Sequence, residues 1–307
     1  MMPLHSQKGV ALIAAMMVMT IGVTIAANLL WSSNLQMHRT RNLSYMDQAQ
    51  LYALGAEAWA ADTLITDLEE SQSDSLDEVW AIALPPLPID GGQLSGSVED
   101  LQGRFNLNNL VTPSGQKHQA WFDIFVRLLI SLEINPQIAD AVVDWIDANV
   151  DVTFPDGAED DLYTGLEPAY RTANVFLSDA SEIRAINGFD AEIYEALKPY
   201  VTALPRGTKI NLNTASELVI ASLSDEITLF DAQIITENRA GQPFTTLQEL
   251  ESFVPVEALL YAAVDTEYFA IKSVVALGST QFSMYSLLER DKRSSAVTTR
   301  LRRTGYE

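Results

Sequence analysis

The sequence predicts an α+β protein built from one long N-terminal helix and a small antiparallel sheet, interrupted by a large helical insertion. Three observations carry this. A charge-free apolar run from Val10 to Trp31 opens the chain and passes into an amphipathic stripe. Strand patterning occurs early, between Leu94 and Leu107, and returns only near the end, between Tyr268 and Leu288. The residues between those two zones follow mostly helical spacing.

The apolar run comes first. Its 22 residues, Val10 to Trp31, hold no acidic or basic side chain. At the helical rise they span roughly 33 Å, the thickness of a bilayer core. Lys8 precedes the run and Arg39 and Arg41 follow it, so the flanking charges alone do not orient it. The chain as a whole is acidic, with 41 Asp+Glu against 19 Lys+Arg and a net charge of −22. A short leader stays inside, and a long folded domain is translocated largely regardless of charge. The expected placement is a single pass through an inner membrane, with the C-terminal domain in the periplasm. There is no cysteine, so neither a disulfide nor thiol chemistry is available.

Gln7-Lys8-Gly9 directly before Val10-Ala11-Leu12-Ile13 resembles a type IV prepilin signal. A secretory signal carries its small-residue cleavage site after the apolar core. Here the candidate pair Ala26-Ala27 comes late and Trp31 follows. The resemblance implies that a prepilin peptidase cuts between Gly9 and Val10, that Val10 becomes N-methylated, and that the membrane helix Val10–Trp31 is retained. Pilin-like chains usually carry glutamate at the fifth mature position, whereas this chain has Ala14. A carboxylate in lipid is costly without a partner. A subunit lacking it suits the end of a fibre.

Past Trp31, Leu35, Tyr45, Ala49, Tyr52, Ala53, Ala56 and Trp59 recur at three- and four-residue steps among polar residues. Residues 32–70 therefore continue the helix under a soluble domain. Asp62, Asp67, Glu69 and Glu70 read as its solvated end, and Ser71 to Ser75 as a polar break. The first half of the sheet is expected within 71–108, with a Gly91-Gly92 turn and strands over Leu94–Leu101 and Gly103–Leu107. The insertion occupies 109–265, in two modules of about 109–205 and 206–265. Closing strands fall within 266–289, Tyr268–Leu277 and Gln281–Leu288, joined at Gly278-Ser279-Thr280. The tail 290–307 carries Arg290, Lys292, Arg293, Arg300, Arg302 and Arg303 and reads as a frayed, solvated end, the alternative being a contact with an acidic neighbour, another fibre subunit or this protein's own acidic domain.

The insertion contains an internal echo. Phe105-Asn106-Leu107-Asn108 and Ile210-Asn211-Leu212-Asn213 share one apolar-Asn-Leu-Asn core. The helical segments after the second copy, Glu217–Leu223 and Ala232–Arg239, resemble SAM-like or helix-hairpin-helix-like modules of membrane-anchored DNA-uptake proteins. Nucleic acid is nevertheless excluded as a partner. Ser224-Asp225-Glu226-Ile227 stands where a phosphate-binding turn would be glycine-rich. Counterion displacement needs cations that this acidic domain lacks. The asparagines read as helix caps and turn formers.

The densest chemistry lies between Asp144 and Asp161. Asp147, Asp151, Asp156, Glu159, Asp160 and Asp161 crowd one loop, with Asp156-Gly157 as a tight turn. Crowded carboxylates raise one another's pKa unless a cation joins them. Ca2+ accepts six to eight oxygens in flexible geometry. The spacing is not that of an EF-hand, yet these six residues are the expected Ca2+ ligands, with Asp156, Glu159, Asp160 and Asp161 foremost. Zinc hydrolysis would call for His or Cys, and His5, His38 and His118 are scattered. No catalytic constellation or phosphate loop occurs, so no enzyme is expected.

Together these pieces, with Pro168–Asn174 and Ser181-Glu182-Ile183 after the acidic loop, resemble the protein K family of the general (type II) secretion pathway. The likeness covers nearly the whole length. It implies a pilin-like spine and a minor pseudopilin at the tip of a periplasmic pseudopilus. It also implies assembly with the minor pseudopilins I and J, initiation of the pseudopilus, support for export of folded proteins across the outer membrane, and bound calcium that rigidifies the tip. A type IV pilus-like minor pilin and a membrane-anchored binding protein of the helix-hairpin-helix type are the alternatives.

Overall fold

The computed structural model describes residues 8–305; the leader residues before Lys8 and the last two residues lie outside them. Helix α1, Lys8–Glu70, is continuous over 63 residues. Its apolar window is wholly unburied within the protein, as a membrane-facing segment must be. Burial starts at Ala49 and recurs at Ala53, Glu57, Ala60 and Leu64, a single face at three- and four-residue steps. Small residues on that face let the helix lie close to a sheet. Strands β1, Leu84–Ile89, and β2, Gly92–Asp100, come next as a hairpin.

The insertion is two unequal copies of one plan. In the first, β3 (Phe105–Asn106) leads through a 3-10 turn to α2 (Gln119–Ser131), α3 (Ile138–Ile146), α4 (Asp160–Tyr163) and α5 (Ala191–Leu197), and β4 (Val201–Thr202) pairs back in parallel with β3. In the second, β5 (Ile210–Asn211) leads to α6 (Glu217–Ser222) and α7 (Leu229–Gly241), and β6 (Ala262–Ala263) pairs in parallel with β5. The echoed asparagines do the same work twice. Asn106 accepts from the Asn108 amide at 3.1 Å, and Asn211 accepts from the Asn213 amide at 3.0 Å. Asn108 and Asn213 then tie distant backbone, to Leu177 and Leu204 in one copy and to Phe244 and Val264 in the other. One apolar core runs through both copies, with Phe105 stacked on Phe125 at 5.2 Å.

After the insertion come β7 (Tyr268–Leu277), β8 (Thr280–Asp291) and β9 (Ala296–Thr304). The five strands order as β1-β2-β7-β8-β9, antiparallel throughout. β7 and β8 alternate buried and half-buried positions, and their inner face packs on α1. The β7–β8 turn needs Gly278, whose φ is +55° and whose missing side chain leaves room for the Tyr45 ring.

Several expectations need correction. Residues 103–107 form no strand of the main sheet: Leu101–Gly103 and Leu107–Leu110 are 3-10 turns, because the Asp100 and Asn106 side chains capture amides two residues on. β1 escaped the sequence reading because it carries Pro85, Pro86 and Pro88, which only an edge strand tolerates. The basic tail is not frayed. It forms β9, and Arg302 grips Glu57 of α1 while Arg303 reaches Asp179 in the insertion at 2.6 Å. Nor are Asp67 and the Ser71–Ser75 break simply solvated, since Ser73, Asp74 and Ser75 are buried and Asp67 is half-buried.

Arg290, on β8, explains that burial. Only 1% of its side chain is exposed; it donates to Asp67 Oδ2 at 2.9 Å and to Asp74 Oδ1. It also donates to the carbonyls of Leu64 and Thr266. Removing one partner of a buried ionic group strands the others and costs about 3–5 kcal/mol. Arg290→Ala is therefore expected to lose about that much stability in thermal or urea unfolding. A loss below about 1 kcal/mol would show that the surrounding carboxylates do not depend on the guanidinium.

Candidate metal centre in the helical insertion

The acidic loop begins where α3 ends. Asp144 faces inward from the last turn of that helix and is fully buried, its oxygens accepting from the Thr153 amide at 3.0 and 3.1 Å. Asp147, the residue after α3, is also buried and turns the chain by accepting from the amide and side chain of Asn149 at 3.2 and 2.7 Å. Thr153 O then receives the Gly157 amide at 2.8 Å, closing a tight turn. A side chain at position 157 would meet Asp144 Oδ2 at 2.2 Å and Thr153 O at 2.5 Å, so glycine is a packing requirement here. Glu159, buried at the start of α4, accepts from Thr172 Oγ1 at 2.8 Å. Trp145, Tyr163 and Tyr170 wall the region, with Trp145 edge-on to Tyr163 at 5.3 Å.

Burial is the leading cause of a raised pKa at Asp144, Asp147 and Glu159, and mutual repulsion adds to it. Asp147 is pushed up to about 6. Asp156 Oδ2 and Glu159 Oε1 are buried without any hydrogen-bond partner. Buried carboxylate oxygens without a hydrogen bond lack the compensating partner that burial calls for. The donors are all oxygen, which suits a hard cation such as Ca2+.

The structure redistributes the six expected ligands. Asp147, Asp156 and Glu159 lie at the buried end of the loop. Asp151 and Asp161 point to solvent. Asp160 is turned toward Arg171, at 3.2 Å, and Thr172, at 3.0 Å. Asp144 belongs with the buried set and stands outside the six expected ligands, because its inward turn depends on where α3 stops. The loop carboxylates are not drawn into one tight cluster. Among the described residues, the group with one oxygen from each of three carboxylates within 4.8 Å of the others is Asp67, Asp74 and Glu78. Arg290 already pairs with Asp67 and Asp74 of that group, and Glu78 accepts from the Trp80 indole and the Ser75 amide.

The hairpin turn of the second copy is likewise engaged within the protein. Arg127 of α2 donates to the carbonyls of Ser222 and Leu223 at 2.7 and 3.1 Å, sealing the C-terminal end of α6.

Two family models described as type II secretion system, protein K, match residues 103–206 and 210–272. The chain is 31% identical to "Type II secretion system protein K" of Aeromonas hydrophila, over 98% of each chain. It is 35% identical to the protein of the same description from Pseudomonas aeruginosa, over 94% of this chain and 90% of that one. The chain belongs to the protein K family of the type II secretion system. A structure described as the GspK-GspI-GspJ complex from enterotoxigenic Escherichia coli superposes with a TM-score of 0.74 at 26% identity, covering 88% of this chain and 100% of that one. Members of the family are structural components of the secretion system. The two matched segments track the two asparagine-tied copies, and the first contains the whole acidic loop.

Gly157→Ala tests how tightly the loop is built. With backbone and a carboxylate inside 3 Å of the new carbon, the loop must shift, at a cost of about 1–3 kcal/mol. Unfolding midpoints of the two proteins measured side by side should differ accordingly; equal midpoints would mean the turn is loose.

Proposed function

We propose that this minor pseudopilin of the type II secretion system sits at the tip of the pseudopilus, assembled with the minor pseudopilins I and J. There it helps initiate the fibre and supports export of folded proteins across the outer membrane. The observation that carries the proposal is the end-to-end likeness to protein K relatives, together with a structural neighbour solved as a complex with GspI and GspJ. Ala14 supports a terminal position, because a last subunit needs no glutamate to meet the amine of a further one. The apolar half of α1 supports anchoring in the inner membrane with the rest of the chain in the periplasm. The role is structural and not enzymatic.

Prepilin processing belongs to the same reading. Cleavage between Gly9 and Val10 would leave an N-methylated Val10 at the head of the membrane helix. Purification of the full chain from its own membranes should bring down I and J, with a mature protein starting at Val10 on N-terminal sequencing. A chain that keeps Met1 and travels alone would remove the filament reading and leave a plain anchored binding protein.

Calcium is proposed as the loop's ligand, held by Asp144, Asp147, Asp156 and Glu159. The bound ion would supply positive charge to the orphaned oxygens and fix the loop against α3 and α4. The pH dependence comes from the shifted carboxylates. Asp147 has its folded pKa raised from 3.8 to about 6, so its contribution to metal-free stability is complete below about 4 and lost as pH rises through about 6. Over the same window the proton ceases to compete with the cation. Added Ca2+ should therefore raise the melting temperature more at pH 7.5 than at pH 5, and Glu159→Gln should blunt the gain. A melting temperature indifferent to millimolar Ca2+ at pH 7.5 would remove calcium from the proposal.

A further inference from the structure

Between its membrane-length run and the sheet, α1 is bare. Every residue from Ser33 to Ser44 is exposed, and burial against the sheet starts at Ala49. This neck has its own charge pattern. From Val10 to Met46 there is no acidic residue, and the cations are Arg39 and Arg41, with His38 beside them. From Asp47 to Asp100 every charged side chain is acidic. No ion pair among the described residues includes Arg39 or Arg41, whereas Arg290, Arg300, Arg302 and Arg303 of the last strands are each paired within the protein. Two exposed guanidinium groups next to a membrane span therefore have no counter-charge in their own chain.

Resting on the inner-membrane anchoring proposed above, we propose that His38, Arg39 and Arg41 bind the phosphate of an anionic phospholipid where α1 leaves the bilayer. Arg39 lies eight residues past Trp31, about 12 Å along the helix axis. The polar headgroup layer is about 5–8 Å thick on each side. Helical side chains lean toward the N-terminus, which here is the membrane, so a long guanidinium arm reaches back into that layer. Trp31, 76% exposed, suits the same boundary. Around the axis, His38 stands about 20° from Trp31, and the two arginines about 80° to either side of it. Arg41 donates to His38 Nδ1 at 3.0 Å, so the ring's Nε2 carries the proton and stays available as a donor. Beside Arg41, Ser33, Gln36, Thr40 and Ser44 line an open concavity with hydroxyls and an amide, which suits a polar headgroup. Charge selects the occupant. A chain of net charge −22 is repelled by an anionic surface as a whole, so attraction has to be local, and this acid-free neck is where the topology meets the phosphates.

The test is lipid retention. Full-length protein would be exchanged into equal amounts of phosphatidylglycerol and phosphatidylcholine, and the lipids it keeps counted by native mass spectrometry. The unaltered chain should keep phosphatidylglycerol over phosphatidylcholine at least fivefold, about what one arginine near an anionic surface supplies. Arg39→Gln with Arg41→Gln should bring the ratio to about one, and Arg39→Lys with Arg41→Lys should restore most of it. Both positions are exposed, so the melting temperature of the soluble part should not move in either variant. Equal retention of the two lipids by the unaltered chain overturns the proposal. So does a glutamine variant that keeps its lipid preference, and if that variant also loses I and J, the arginines belong to a protein contact instead. A chain that fractionates away from membranes overturns the anchored reading as well.

Discussion

One guanidinium holds the architecture together. Arg290 sits where the end of α1, the loop after it, the exit from the insertion and strand β8 all meet, and it bonds to each. Asp74 extends the same junction, its side chain accepting from the Thr266 amide at 2.6 Å and its amide donating to Val264 at 2.9 Å. Asn211 adds bonds to Asp74 O, Asp100 Oδ2 and Thr266 Oγ1, which couples the second copy of the insertion to the sheet. Burial holds the Asp67, Glu78 and Asp100 carboxyls above the usual carboxylate range, Glu78 at about 7 and Asp100 at about 6. Asp67 and Asp74 share one buried region because the fully buried Arg290 sits between them, while neutral donors hold Glu78 and Asp100.

With that junction fixed, the rest divides by solvent. The first half of α1 is apolar, unburied within the protein and long enough to cross a membrane, its second half meets the sheet, and the two asparagine-tied copies make a separate core of their own. Glu57 shows how the tail is recruited. A carboxylate on the buried face of a helix needs a partner, and Arg302 of β9 supplies a two-pronged one, with Thr299 and Ser286 completing it. The pairing holds the Glu57 carboxyl below its usual range despite the burial that raises it. The basic end of an acidic chain is thus an internal counter-ion store.

The acidic loop obeys the same electrostatics without a cationic side chain of its own. No Lys or Arg approaches Asp144, Asp147 or Glu159 among the hydrogen-bonded partners of the described residues, whereas the neighbouring Asp140 is met by Lys117 at 2.7 Å and Asp160 by Arg171. Composition alone flagged the loop, because acidic side chains this dense are visible in any reading. Which of them turn inward was hidden: it depends on where α3 stops and on the turn at Gly157, not on spacing. Asp160 and Asp161 are adjacent in sequence, and one meets Arg171 while the other meets water.

Whatever depends on near neighbours is written in the amino-acid order. The membrane-length helix, its amphipathic continuation, the two Asn-Leu-Asn copies and the β7–β8 hairpin all arise from residues within a few positions of one another. Periodicity and local hydrogen bonding decide such elements. The tertiary structure alone decided the pairings that span the chain. Arg290 meets Asp67 across 223 residues and Asp74 across 216, and Arg302 meets Glu57 across 245. A buried charge takes whichever counter-charge the fold delivers, and no local pattern records that choice. For the same reason a proline-rich stretch could become an edge strand, and a basic tail could become the last strand of the sheet.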